Sequence, residues 1–176
     1  MNIRKLLSAA AASVMAMSLL CSCGQSGVLR LGTGNTGGNY YSYGTFLHEL
    51  DENGIEVKKT AGSQANLRLM KEGFIDMAIV QSDVLSEAVN GVGDFENEPV
   101  SGVRAVAGLY DEAFQIVVRS KSDINSIADL KGKKISVGDE GSGVAKNAEY
   151  LLLSAGVAFS SVEPVYMSYS ESAAAL

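Results

Sequence analysis

The sequence predicts an α/β fold. Two observations carry that expectation. Short apolar runs of strand length alternate with segments whose apolar residues recur at helical spacing. One local device also occurs twice: a strand, a glycine-rich loop and a helix, at residues 32–40 and again at 138–145. A loop of that kind turns backbone N–H groups outward at the positive end of a helix, which suits a small anion.

The elements follow in order along the chain. Residues 28–31 read as the first strand, and 40–50 as a helix ended by Asn53 and Gly54. Residues 55–60 form a second strand with alternating faces. Ser63 is placed to cap a helix running to about Glu72, with Leu67 and Met70 at helical spacing, and Gly73 stops it. Residues 77–80 read as a buried strand, and Ser82 with Asp83 as the cap of a helix over 84–90. After a polar loop over 91–101, two further strands are expected at 104–109 and 114–119. Tyr110 to Ala113 between them is a natural crossing between lobes. A short helix at 127–130, a strand at 134–137, a helix over 144–154 capped by Gly156 and a strand at 162–167 complete the pattern. Ser168 and the residues after it read as a helix cap and first turn.

Residues 1–22 read as a targeting segment. Arg4 and Lys5 precede an apolar run from Leu6 to Leu20 that is short for a membrane span and ends on small residues. Leu20-Cys21-Ser22-Cys23 looks like a bacterial lipoprotein signal with Cys23 as the lipidated residue, 23–27 then being a lipidated linker. Its removal leaves 12 basic residues against 20 acidic ones, a net charge of −8 in place of −6. That balance argues against nucleic acid as a partner. Both cysteines lie at the signal boundary, so the body has no disulfide framework, cysteine metal site or cysteine nucleophile.

Enzyme chemistry finds little support. Gly32, Gly34 and Gly37 match the dinucleotide fingerprint, but the second strand ends Lys58-Lys59-Thr60 where an acid should meet a ribose. The only histidine, His48, falls within the first helix and reads as a packing residue. Asp94, Glu96 and Glu98 lack the full set of oxygen ligands that calcium needs and read as a solvated loop. No cofactor and no metal are expected. What remains is small polar clusters at four strand-to-helix junctions, and ligands in open α/β sheets bind at the carboxyl ends of strands.

Several stretches together resemble the TAXI-type solute-binding subunits of TRAP transporters. They are Gly32-Thr33-Gly34-Asn35-Thr36-Gly37-Gly38-Asn39-Tyr40-Tyr41, the run from Thr60 to Leu69, the run from Asp76 to Asp83, Leu109-Tyr110 with 116–119, 127–134, and 137–143. The resemblance implies a type II periplasmic-binding-protein-like α/β fold. Lobe 1 (28–112) would be largely present and lobe 2 (113–176) partial, because members of that family run longer than this chain. The expectation is a C-terminally truncated sequence, of which residues 23–176 alone bind ligand weakly or not at all.

The resemblance also implies binding rather than catalysis. A small organic anion, such as a glutamate-like or dicarboxylic compound, would be captured outside the membrane and passed to the permease subunits of a TRAP transporter. The protein would be anchored to the bacterial cell membrane through Cys23. Gly34, Asn35, Thr36, Gly37, Gly38, Asn39, Tyr40, Tyr41, Ser63, Asn66, Gln81, Ser82, Asp83, Ser142 and Gly143 would line the cleft. Val144 stands where that family often has a threonine, which removes one hydroxyl. Two other readings stay open: a sensor module for a signalling partner, and a serine hydrolase using Ser142.

Overall fold

The computed structural model describes residues 27–176. The targeting segment, Cys23 and all of the linker except Gly27 lie outside them.

Three parallel strands, β1 (Leu29–Gly32), β2 (Ile55–Lys58) and β3 (Met77–Ala78), form the first sheet in the order β2-β1-β3. Leu29 stands opposite Ile55 and Gly32 opposite Lys58, while Leu31 pairs with Met77. Parallel neighbours need crossover connections, and helices supply them here. Helix α1 (Asn39–Leu50) joins β1 to β2, and α2 (Ser63–Lys71) joins β2 to β3. Helix α3 (Ser82–Asn90) follows β3. Gly44 lets α1 approach the sheet closely, since a Cβ there would stand 2.5 Å from Thr33 Cγ2. The core of this unit is Leu67, Val84, Ala88, Phe95 and Val100.

A second, smaller sheet pairs β4 (Lys134–Ser136) with β5 (Glu163–Val165), again in parallel. Helix α4 (Gly143–Ser154) makes the crossover, and Leu130, Leu152, Val157 and Val162 form the core. Helix α5 (Tyr169–Ala175) closes the order. Ser168 caps it in a reciprocal pair with Glu171, so the sequence signal at Ser168 is a working cap.

Several expectations are corrected. The helix starting near Ser63 is capped by Gly62, whose φ of 120° and ψ of −151° suit only glycine. Ser63 is its first residue, and its hydroxyl accepts from the Gln81 N–H at 3.0 Å instead. Gln81, not Ser82 or Asp83, is the N-cap of α3. The second strand stops at Lys58 because Thr60 turns its hydroxyl to Thr33 O at 2.9 Å and the chain bends at Gly62. Residues 104–109 and 114–119 form no strand. A strand must hand its N–H and C=O groups to a neighbour, and among the described residues no strand lies beside this segment. Its apolar side chains stand in solvent, with Val106 89 % exposed.

Candidate functional site

In a parallel sheet every strand delivers its carboxyl end, and the following helix its N-terminus, to the same edge. Here both sheets turn that edge toward a shared cleft of about 600 Å³, within the usual range for small-ligand sites. The first turns of α1, α2, α3 and α4 all border it, through Gly38, Gly62, Gln81 and Ser142. The N-termini of α1, α2 and α3 carry no side-chain cap, which leaves backbone donors for a ligand or solvent. At α4 the Ser142 hydroxyl accepts from Ala145 N at 3.0 Å.

The structure brings most of the sequence-predicted residues together. Gly34, Asn35, Gly37, Gly38, Asn39, Tyr40, Ser63, Gln81, Ser142 and Gly143 line the cleft. Five others do not. Thr36 is exposed at the outer side of its loop, and Ser82 and Asp83 are exposed on α3, where Asp83 accepts only from the next residue, Val84 N. Tyr41 lies one residue past Tyr40 on the helix and so turns to another face, with Thr45 and His48. His48 itself bonds the Ile55 carbonyl at 2.7 Å. Asn66 is fully buried below the cleft: its amide donates to Thr33 O at 2.7 Å and Ile79 O at 2.9 Å, tying two strand ends together.

The glycines of the first loop serve close approach. Tyr169 packs over Gly38, and a Cβ on Gly37 would stand 2.7 Å from Ser170 Oγ. Helix α5 is thereby seated on the loop that opens α1. Gly143 makes room in the same way, since a side chain there would collide with Gln81.

Residues that sequence reasoning had not assigned to the site complete the lining. Tyr110, Asp111, Glu112, Ala113 and Phe114 come from the crossing segment, Asp139 and Asn147 from the β4–α4 side, and Tyr169 from α5. Gln81 is the hub. Its amide donates to Glu112 Oε2 at 2.5 Å and its carbonyl accepts from Asn147 at 3.2 Å. Tyr110 donates to Glu112 Oε1 at 3.2 Å and stacks on Tyr43, with ring centroids 5.3 Å apart. Burial and then the Glu112 charge push the Tyr40 hydroxyl far above its usual range, and the same two causes raise Tyr110 to about 12. Tyr169 is raised by burial and by Glu112 and Asp139. All three tyrosines are neutral donors near pH 7.

The two units are clasped across the cleft. Asn35 donates to Asp139 at 2.8 Å, and Ala65 N in the first turn of α2 donates to Gly141 O at 3.1 Å. To one side, Lys146 of α4 reaches Asp94 at 2.9 Å and Glu87 at 3.9 Å, with its side chain only 10 % exposed. Gln64 also donates to Asp94, and Tyr150 to Glu87. Asp94 is therefore engaged in an ion pair, and no group of three metal-ligating side chains occurs among the described residues.

The model of the NMT1-like family matches residues 31–176. The chain belongs to that family. Among solved structures it is similar to the alkanesulfonate-binding protein SsuA from Xanthomonas axonopodis pv. citri bound to MOPS, at 19 % identity and a TM-score of 0.51. That match covers 85 % of this chain and 50 % of the other. It is also similar to the periplasmic aliphatic sulphonate binding protein SsuA from Escherichia coli, at 22 % identity and a TM-score of 0.47, over 84 % of this chain and 50 % of that one. The chain thus spans half the length of these solved relatives. The α/β fold is that of a periplasmic binding protein, in part.

Proposed function

We propose that this NMT1-like chain belongs to an extracytoplasmic solute-binding protein that captures a small organic acid between two lobes. The convergence of four helix N-termini, three of them without side-chain caps, on one cleft carries the reading. Each such end holds roughly half a positive charge, although one first-turn N–H is already spent in α2 (Ala65 to Gly141 O), in α3 (Val84 to Asp83) and in α4 (Ala145 to Ser142). Together they can hold a carboxylate without a basic side chain, and the lining has none among the described residues. The ring of Tyr40 supplies apolar surface for the carbon skeleton. Residues 28–112 form lobe 1, and residues 113–176 contribute part of lobe 2. Binding would draw the lobes together on the crossing at Tyr110 to Ala113.

The finer reading keeps the resemblance to TAXI-type proteins. The partner is then the permease of a TRAP transporter, and Cys23 carries the lipid that holds the protein at the membrane. Calorimetric titration of the chain with a panel of small carboxylates, taken to millimolar concentration, tests the site. Weak saturable binding of at least one is expected, as suits a partial second lobe, and none across the panel would overturn the reading for this chain. Cys23→Ser should move the protein from the membrane fraction to the soluble one; unchanged fractionation would remove the anchor.

A further inference from the structure

We infer that Lys146 and Tyr150 of α4, meeting Glu87 and Asp94 of the first lobe, form a charged latch beside the cleft that holds the two lobes closed and releases when they part. The inference rests on the two-lobe solute-binding reading above and adds the contact that keeps the lobes together before any ligand arrives.

The described contacts between the lobes are mainly polar. Each lobe keeps its own apolar core, around Leu67 and Val84 in the first and around Leu130 and Leu152 in the second. Between them run single hydrogen bonds, Asn35 to Asp139, Ala65 to Gly141 and Asn147 to Gln81, and one cluster of charge. Parting apolar surfaces costs free energy in proportion to the area bared. Parting charged groups costs less, because water takes up each charge as it separates. A contact of this kind can release.

The cluster spans the lobes and stands apart from the ligand site, since none of its residues lines the cleft. Lys146 Nζ lies 2.9 Å from Asp94 and 3.9 Å from Glu87. It also stands 4.9 Å from the ring centre of Tyr150, one turn further along α4, whose hydroxyl donates to Glu87. Gln64 steadies Asp94 from within the first lobe, donating at 2.7 Å. Gly93, at a φ of 59°, leaves room for the Glu87 carboxylate, which a Cβ there would approach to 2.7 Å.

The closed contact is not fully satisfied. Glu87 Oε2 is buried and has no hydrogen-bond partner among the described residues, and Lys146 reaches it only through charge. That oxygen regains water when the lobes part. Closure is thus held by charge and opposed by one unpaired acceptor, which suits a contact that must open again. Asn147, next to Lys146, bonds Gln81 in the cleft and so joins the latch to the ligand site within one turn of helix.

The test measures the distance between the lobes without ligand. Spin labels go on Glu49→Cys and Leu153→Cys, both exposed, in the full chain with Cys21→Ser and Cys23→Ser, and pulsed electron resonance reads the populations. In this background one short distance should dominate, with an open form of less than about a tenth. Lys146→Met should raise the open form about tenfold with circular dichroism unchanged, and Tyr150→Phe about threefold. Adding Glu87→Gln to Lys146→Met should lower it again, because closure then strands one carboxylate fewer. If the lobes stand open before any latch substitution, or if both single variants keep the short distance, the inference fails. If the double variant stays as open as Lys146→Met, the contact acts by bulk and the inference fails. If Lys146→Met unfolds α4, Tyr150→Phe alone decides. No ligand enters the experiment, so failure here leaves the solute-binding reading to the carboxylate titration.

Discussion

The two units use the same strand–loop–helix device but are held by different means. In the first, three strands are tied at their carboxyl ends from below. Asn66 bonds two strand-end carbonyls, and the Thr33 hydroxyl donates to Lys58 O at 2.9 Å. In the second, two strands and one crossover helix enclose a core of four side chains. A two-stranded sheet is marginal alone, and this one leans on its neighbour through Lys146, Asn147, Asn35–Asp139 and the Gly141 carbonyl. The first unit is thus tied within itself, whereas the second takes part of its support from the first.

The largest effect should come from the buried tie. Asn66→Ala leaves the Ile79 carbonyl without its donor, takes one of two donors from Thr33 O and opens a buried cavity, and should cost about 3 kcal/mol in chemical denaturation. A loss under about 1 kcal/mol would mean the sheet ends hold without it. Next is the clasp. Burial works against the Lys146 ammonium, but its bond to Asp94 and the charge of Glu87 outweigh that and raise its pKa. Lys146→Met leaves both acids without their cation and should cost about 2 kcal/mol. Amide exchange should then quicken in α4 well before α2; equal quickening would deny that the second unit depends on the first.

Gly143→Ala comes third. The added methyl displaces the Gln81 side chain and breaks its bond with Asn147, for about 1 kcal/mol and a weakened ligand affinity. Unchanged affinity would show that Gln81 is not the hub of the cleft.

The smallest effect lies at the far edge of the first sheet. Arg30 donates to both Asp76 oxygens, at 2.8 and 2.9 Å, and its hydrogen bonds hold the Asp76 carboxyl down to about 2 from an ordinary 3.8. A carboxyl lowered by folding stabilises the fold above its unfolded pKa and loses that contribution as pH falls toward the folded value. The window is therefore pH 4 to 2. The pair is a third exposed, so water screens it and the effect is small. Asp76→Asn should flatten the acid limb of the stability profile; an unchanged limb would assign acid loss to other carboxyls.

The sequence by itself determined the α/β class, the order of elements and four of the strand-to-helix junctions, because periodicity and glycine placement are local signals. The cap at Ser168 and the loops at 32–40 and 138–145 were legible for the same reason. Ten of the fifteen proposed cleft residues line the cleft, since each sits at the carboxyl end of a strand, a position that chain order alone predicts. Only the tertiary structure decided the rest. Tyr40 and Tyr41 are neighbours in sequence, but the helical turn sends them to different faces. Asn66 looks like a ligand-binding amide until burial makes it a tie between strands. Residues 104–109 and 114–119 have strand composition, yet a ladder needs a partner that lies outside the segment. Glu112, Asp139 and Tyr169 are separated by long stretches of chain, and no local pattern announces that they share one cleft. Capping and periodicity act over one helical turn, whereas facing charges and strand pairing depend on where the whole chain has gone.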